Sequence, residues 1–215
     1  MPCSFLQIGK KRKIQFTKRR YNVAAILYVK VSDKKKRIDL GIDDCGEVGS
    51  FSISEATYLS LGCLPRGSEI DADTVSLIKA EDEVYRATKK AVGYLAASDR
   101  SRFSLKMKLR QAGFSSEAAH SAVEYCILRG YIDEARQLER LVEKEANYSL
   151  RGKYYIKRKL ASKGYALSDI DRAIRDLLER GEIDFDANFE LLKEKKDASE
   201  PEEINSLKYQ FGYKI

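Results

Sequence analysis

At 215 residues the chain is long enough to bury a real core in one or two domains, and its 43% apolar and 34% charged content fits a folded, charge-rich protein. A net charge of +7 at pH 7 hides a strong alternation. Residues 1–37 carry twelve Lys/Arg against one acid, 38–85 two against eleven, and 86–182 twenty-one against thirteen, a pattern that suits a polyanion or another charged assembly as partner and equally suits solvated faces.

Cys3, Cys45, Cys63 and Cys126 show no paired spacing, and His120 is the only imidazole, which argues against a zinc or other Cys/His metal site. Reduced thiols in a cytoplasmic protein fit this pattern. The opening MPCSFLQIGKKRK lacks the apolar stretch of a signal peptide, and Val23–Val29 is far too short to span a bilayer. A soluble, cytoplasmic protein without a membrane partner is expected.

In chain order, residues 1–20 read as a basic, poorly ordered arm. Tyr21–Val31, Arg37–Ile42 and Glu47–Ile53 have the β-branched and aromatic content, or the alternation, of three short strands in an antiparallel meander. Ser54 is placed to cap a short helix to Leu61, stopped by Gly62, and Pro65 and Gly67 mark the next break. From Asp71 onward the apolar period is helical.

There the sequence repeats itself. Lys106–Phe114 reads KMKLRQAGF and Lys157–Tyr165 reads KRKLASKGY; Leu128–Asp133 reads LRGYID and Glu179–Asp184 reads ERGEID. The offset is fifty-one residues throughout, and a fixed period is the mark of stacked supersecondary units. Each unit reads as three helices: Glu83–Ala97, Ser101–Ala112 and Ser116–Arg129, then Glu134–Asn147, Gly152–Ser162 and Ser168–Arg180. Gly113, Gly130, Gly164 and Gly181 stand as the stops, and Ser168 with Asp171 resembles a capping box. A third unit has room for two helices, Asn188–Lys196 and Glu202–Gln210. The expected fold is mainly α: two full three-helix repeats and one truncated repeat, preceded by a small β-containing region. The expected division is an arm at 1–20, the β-containing part at 21–80, repeats at 81–133 and 134–183, and the truncated unit at 184–215.

Helix two carries the chemistry. Leu105, Leu109 and Ala112, like Ile156 and Leu160, share the face expected to be buried. The opposite face carries Phe103, Lys106, Met107 and Arg110 in one copy and Tyr154, Lys157 and Arg158 in the other. An aromatic interleaved with bases suits a phosphate backbone or an acidic protein groove, and packing of the aromatics on a neighbouring repeat is the alternative. Arg100 and Arg151 head the two helices. No glycine-rich phosphate loop, paired histidines or Ser-His-acid set suggests catalysis, so neither an active site nor a cofactor is expected.

At these two motifs the chain resembles the RecX family, bacterial regulators of the RecA recombinase. The family's Leu-x-x-x-Gly-aromatic element is met by Leu109–Gly113–Phe114 and Leu160–Gly164–Tyr165. Its Gly-x-Ile/Leu-Asp element is met by Gly130–Ile132–Asp133 and Gly181–Ile183–Asp184. The likeness runs from about Ala80 to Phe185. A monomer is the default expectation for a rod of repeats, and the likeness implies a non-catalytic protein that lies in the groove of the RecA–DNA filament. There it would restrain RecA's ATP hydrolysis, strand exchange and co-protease activity, with weak, non-specific DNA binding of its own. The partner-facing residues it implies are Arg100, Arg102, Lys106 and Arg110 in the first repeat, and Arg151, Lys153, Lys157 and Arg158 in the second. The third repeat departs from the family, since Leu207–Gly212–Tyr213 is spaced one residue too wide. A stand-alone nucleic-acid-binding module of tandem helix-turn-helix-like units is the competing reading.

Overall fold

The computed structural model describes residues 23–32, 36–196 and 200–211; the basic arm and Gly212–Tyr213 lie outside them. Packing divides the chain into two compact units, Met1–Val75 and Ser76–Ile215.

In the first unit, β1 (Ala24–Ser32), β2 (Arg37–Asp44) and β3 (Glu47–Ser54) form the expected antiparallel meander. A two-residue strand, β4 (Glu69–Ile70), pairs with the start of β1 to give the order β3-β2-β1-β4. Alternation in β2 puts Ile38, Leu40 and Ile42 on one buried face, joined across the ladder by Ile26 and Ile53. Cys45 and Gly46 both take positive φ in the two-residue turn between β2 and β3, and the Gly46 N–H donates to the Asp43 carboxylate at 2.7 Å. Ser54 caps α1 (Glu55–Ser60) by accepting from the Thr57 N–H.

The remaining helices are α2 (Ala72–Ala97), α3 (Arg102–Gln111), α4 (Ser116–Leu128) and α5 (Glu134–Glu143), the last continuing as a π turn over Lys144–Tyr148. They are followed by α6 (Lys153–Ser162), α7 (Leu167–Glu179), α8 (Phe185–Lys196) and α9 (Pro201–Phe211). The second half of α2 with α3 and α4 makes the first repeat, α5–α7 the second, and α8–α9 the truncated third.

Both repeated motifs turn out to be structural punctuation. Helix two ends in the same six-to-one bond in each copy: the Phe114 N–H donates to the Leu109 carbonyl, and the Tyr165 N–H to the Leu160 carbonyl, both at 3.3 Å. Gly113 (φ +93°) and Gly164 (φ +87°) supply the left-handed residue this Schellman turn requires. Helix three ends the same way, with Tyr131 N–H on the Cys126 carbonyl and Glu182 N–H on the Leu177 carbonyl. The Gly-x-Ile-Asp element then buries Ile132 or Ile183 and uses the aspartate to cap the next helix. Asp133 accepts from the Arg136 N–H, and Asp184 from those of Asp186 and Ala187.

Each repeat has its own core. Leu105, Leu109, Ala118, Ala119, Ala122, Val123 and Cys126 gather in the first; Leu138, Val142, Ile156, Leu160, Ile170, Ile174 and Leu177 in the second. Phe189, Leu207 and Phe211 hold the third unit, with Phe185 and Phe189 edge-on to Phe211.

Two local expectations fail. Ala112 is exposed, and it is the C-cap just beyond α3, where the backbone leaves the helical path that keeps Leu105 and Leu109 on one face. Ser168 is not a cap: it lies inside α7, whose N-cap is Ala166, a residue with no hydroxyl to offer. The counterpart of Ala166 is Ser115, which does cap, accepting from the Ala118 N–H.

The loss of that serine redirects a carboxylate. In the first repeat Glu83 accepts from both the N–H and the hydroxyl of Ser115, at 2.7 and 2.8 Å. Its counterpart Glu134 instead accepts from the N–H and Nε of Arg102, both at 2.6 Å, so it caps helix two of the preceding repeat. Ser101 Oγ donates to the Lys163 carbonyl across the same junction, and Arg140 pairs with Asp99 at 2.8 Å.

Gly164 lies beneath Phe103: a Cβ there would sit 2.6 Å from the ring's Cδ1, whereas one at Gly113 would meet nothing within 4 Å. Gly113→Ala should therefore cost only the left-handed backbone penalty, about 1 kcal/mol. Gly164→Ala should cost more, since Phe103 must also leave the junction. Urea midpoints at constant m-value measure the difference; equal losses would mean that Phe103 contributes nothing to the junction.

Candidate partner-binding surface

Helix two is amphipathic for a simple reason. With Leu105 and Leu109, or Ile156 and Leu160, fixed in the core, the residues between them must point outward. Of the bases expected to face a partner, Arg102, Lys106 and Arg110 lie on α3 and Lys153, Lys157 and Arg158 on α6, with Arg100 and Arg151 just before these helices, and their surroundings differ.

Lys106 is half-buried and Arg110 exposed, and neither has a carboxylate within ion-pair distance among the described residues; the same holds for Lys153 and Arg158, both exposed. Arg102 is tied to Glu134. Lys157 is tied to Asp171 of α7, with its Nζ 2.7 Å from Oδ1 and 3.0 Å from Oδ2. Arg100 is half-buried, and its Nε is shut off from solvent with no hydrogen-bond partner among the described residues. Arg151 lies over the ring of Tyr155, 4.8 Å from its centroid. The eight residues thus form no uniform rib: four present unpaired charge and four are engaged with, or enclosed by, their own fold.

The aromatics stay outside. Phe103 is 61% exposed although its ring edge covers Gly164, and Tyr154 is 63% exposed. Phe103 therefore meets both expectations at once, packing on the next repeat while keeping most of its surface open. Met107 joins it on the open side of α3.

Three features here were not read from the sequence. The first is the Lys157–Asp171 pair, which joins two helices across fourteen residues. The second is Lys159, bound at 2.7 Å to the nearly buried Glu145 and sharing the Tyr155 ring with Arg151. The third is Arg175, an exposed base on α7 beside Lys153 and Lys157. A helical wheel drawn for one helix cannot find partners on another; the available clue was that His120, the counterpart of Asp171, breaks the repeat in charge.

A hollow of about 250 Å³ between the repeats is lined by Arg102, Glu134, Glu139, Asp169, Arg172 and Asp176 together with Ala135, Leu138 and Ala173. Its arginines are already answered, Arg102 by Glu134 and Arg172 by Asp169. Burial pushes the Cys126 thiol up from its ordinary value, which leaves it a core residue. No helix among the described residues is long and apolar enough to cross a membrane.

Known proteins resemble this chain in the same region. A family model described as RecX, first three-helix domain, matches residues 87–126, the span from the second half of α2 to the end of α4's core. The regulatory protein RecX of Lactobacillus johnsonii is 28% identical over 141 residues, covering 66% of this chain and 51% of that protein. That of Bacillus cytotoxicus is 25% identical over 179 residues, covering 82% and 65%. The chain spans about half to two thirds of the length of the curated relatives it matches. A crystal structure of a regulatory protein RecX superposes with a TM-score of 0.62 at 20% identity, covering 88% of this chain and 92% of that one, which is a likeness of fold. These matches fall on the very repeats whose stops and caps keep a common register, so the chain is similar in sequence to regulatory proteins named RecX and shares the fold of one of them.

Proposed function

We propose that the protein is a non-catalytic regulator that binds the RecA–DNA filament and restrains RecA's ATP hydrolysis, strand exchange and co-protease activity, so limiting recombination and the SOS response. It acts as a cytoplasmic monomer whose own binding to DNA is weak and non-specific. The observation that carries this reading is the pairing, on one outer face of α3, of unpaired Lys106 and Arg110 with exposed Phe103 and Met107, echoed on α6 by Lys153, Tyr154 and Arg158. A repeating polymer is the partner this suits, because each repeat turns outward an exposed aromatic and two unpaired cations, the aromatics at equivalent positions and the cations at different ones.

The test is RecA's ATP turnover on single-stranded DNA with increasing amounts of the protein. A dose-dependent fall is expected; an unchanged rate at several-fold excess over filament sites would overturn the reading. The stand-alone DNA-binding reading is less favoured, because helix three would have to enter the major groove and the exposed side of α4 carries Glu117 and Glu124.

Lys106→Glu with Arg110→Glu is expected to weaken binding to a single-stranded oligonucleotide by more than about tenfold. It should also flatten the dependence of log K on log salt by roughly 0.7 per lost contact. Fluorescence anisotropy across a salt series measures both. An unchanged slope would remove these two residues from the DNA contact.

A further inference from the structure

Between α6 and α7 runs a groove of about 320 Å³, lined by Lys153, Lys157, Asp171, Ile174, Arg175 and Leu178. Its apolar part is Ile174, a buried core residue, and Leu178, whose side chain is left 41% exposed. Lys153 and Arg175 are exposed and have no carboxylate partner among the described residues. In the middle, Lys157 holds Asp171 at 2.7 Å. Three cations therefore stand around one carboxylate beside an open leucine.

The first repeat has no such site. Fifty-one residues earlier the same positions read Arg102, Lys106, His120, Val123, Glu124 and Ile127. Arg102 is already bound to Glu134, an acid replaces Arg175, and His120 replaces Asp171. The core positions keep their apolar character in both copies, Val123 with Ile174 and Ile127 with Leu178. Two polar positions differ in charge, His120 against Asp171 and Glu124 against Arg175, while Arg102 and Lys106 keep the sign of Lys153 and Lys157. Packing does not require that change, so it points to what the groove meets.

We infer that the α6–α7 groove docks an acidic segment of a protein partner. One apolar side chain of that segment is seated on Leu178 and Ile174, and its carboxylates pair with Lys153 and Arg175. Asp171 decides between a peptide and a nucleic-acid strand. A carboxylate fixed in the groove repels a phosphodiester backbone, which has no hydrogen to donate to it. A peptide backbone brings N–H groups that Asp171 can accept while Lys157 holds it in place. An exposed leucine likewise suits an apolar side chain better than a sugar-phosphate chain. The inference deepens the filament reading and rests on it only for the partner being a protein; the DNA contact stays with Lys106 and Arg110 on α3.

The experiment uses the full chain and two fluorescent probes: a peptide rich in Glu and Asp with a single central Leu, and an oligothymidylate. The unsubstituted chain is expected to bind the peptide saturably. Arg175→Glu should weaken that binding by about tenfold while changing oligothymidylate binding by less than about twofold. Leu178→Ser, which leaves the charge alone, should weaken peptide binding by about threefold or more. Both side chains are exposed, and circular dichroism checks that the helices persist. Absence of saturable peptide binding, or a peptide affinity unmoved by both variants, overturns the proposal. So does an equal loss for both probes with Arg175→Glu, which would make the groove a nucleic-acid site. Restraint of RecA's ATP turnover by the unsubstituted chain is measured alongside. Its absence would sink the filament reading, while the peptide result stands or falls by itself.

Discussion

Leu160→Ala is expected to destabilise the second repeat by about 3 kcal/mol, and amide hydrogen exchange should show the loss concentrated in α5–α7. Leu160 is fully buried among Leu138, Ile156, Ile170, Ile174 and Leu177, so truncation removes apolar burial and leaves a cavity that rigid helices cannot close. The first repeat has a separate core, and what joins the two is mostly polar: Ser101 on the Lys163 carbonyl, Arg102 with Glu134, Arg140 with Asp99, and the edge of Phe103 on Gly164. Most of these groups are exposed or half-buried, and exposed ion pairs contribute little each. Coupling between neighbours should therefore be weaker than cohesion within each, as in other repeat proteins. Protection in α3 and α4 should fall by much less than in α5–α7. An equal fall in both repeats would show a single cooperative unit and refute the idea of two separately stabilised triplets.

What the sequence disclosed follows the same division between local and non-local physics. Helix stops were legible because a Schellman turn needs a left-handed residue at a fixed place after a buried leucine, and Gly113 and Gly164 satisfy a requirement confined to six consecutive residues. Asp133 and Asp184 were legible as the last position of a repeated motif, while their role as caps emerged only from the hydrogen bonds they accept. The strand β4 was missed, since two residues carry no period. Ser168 misled because a capping box is a short pattern that also arises inside a helix; the real boundary is set by the register shared with Ser115. The candidate surface suffered most. Whether Lys157 is available depends on Asp171, and whether Arg102 is available depends on Glu134, thirty-two residues away and itself released by the change from Ser115 to Ala166. Charge can be read from a sequence, but the pairing of charges belongs to the tertiary fold.

Raising the pH from about 8 to about 11 should erode the stability of the second repeat more than that of a Tyr165→Phe variant. The Tyr165 hydroxyl donates to Gln137 Oε1 at 3.0 Å, with both residues buried. Burial above all, then the nearby Glu134 and Asp99 carboxylates, pushes its pKa up to about 12 from the ordinary 10.0, with Arg140 pulling the other way. Because the folded state holds the proton more tightly, this contribution is fully present below pH 10 and is lost as the pH climbs from about 10 to 12. A shift of this size corresponds to roughly 2–3 kcal/mol. At pH 8 the variant should be less stable by about 1 kcal/mol, since Gln137 loses its donor. Toward pH 11 the gap should close and then reverse, while the other tyrosines and the lysines titrate alike in both proteins and cancel. Urea unfolding across the pH series measures the gap; parallel curves would show that Tyr165 titrates equally in the folded and unfolded chain. The first repeat carries Phe114 at the matching position and Arg86 in place of Gln137, so it has no phenol to titrate there. The alkaline loss should accordingly appear as faster exchange in α5–α7, ahead of any change in α3 and α4.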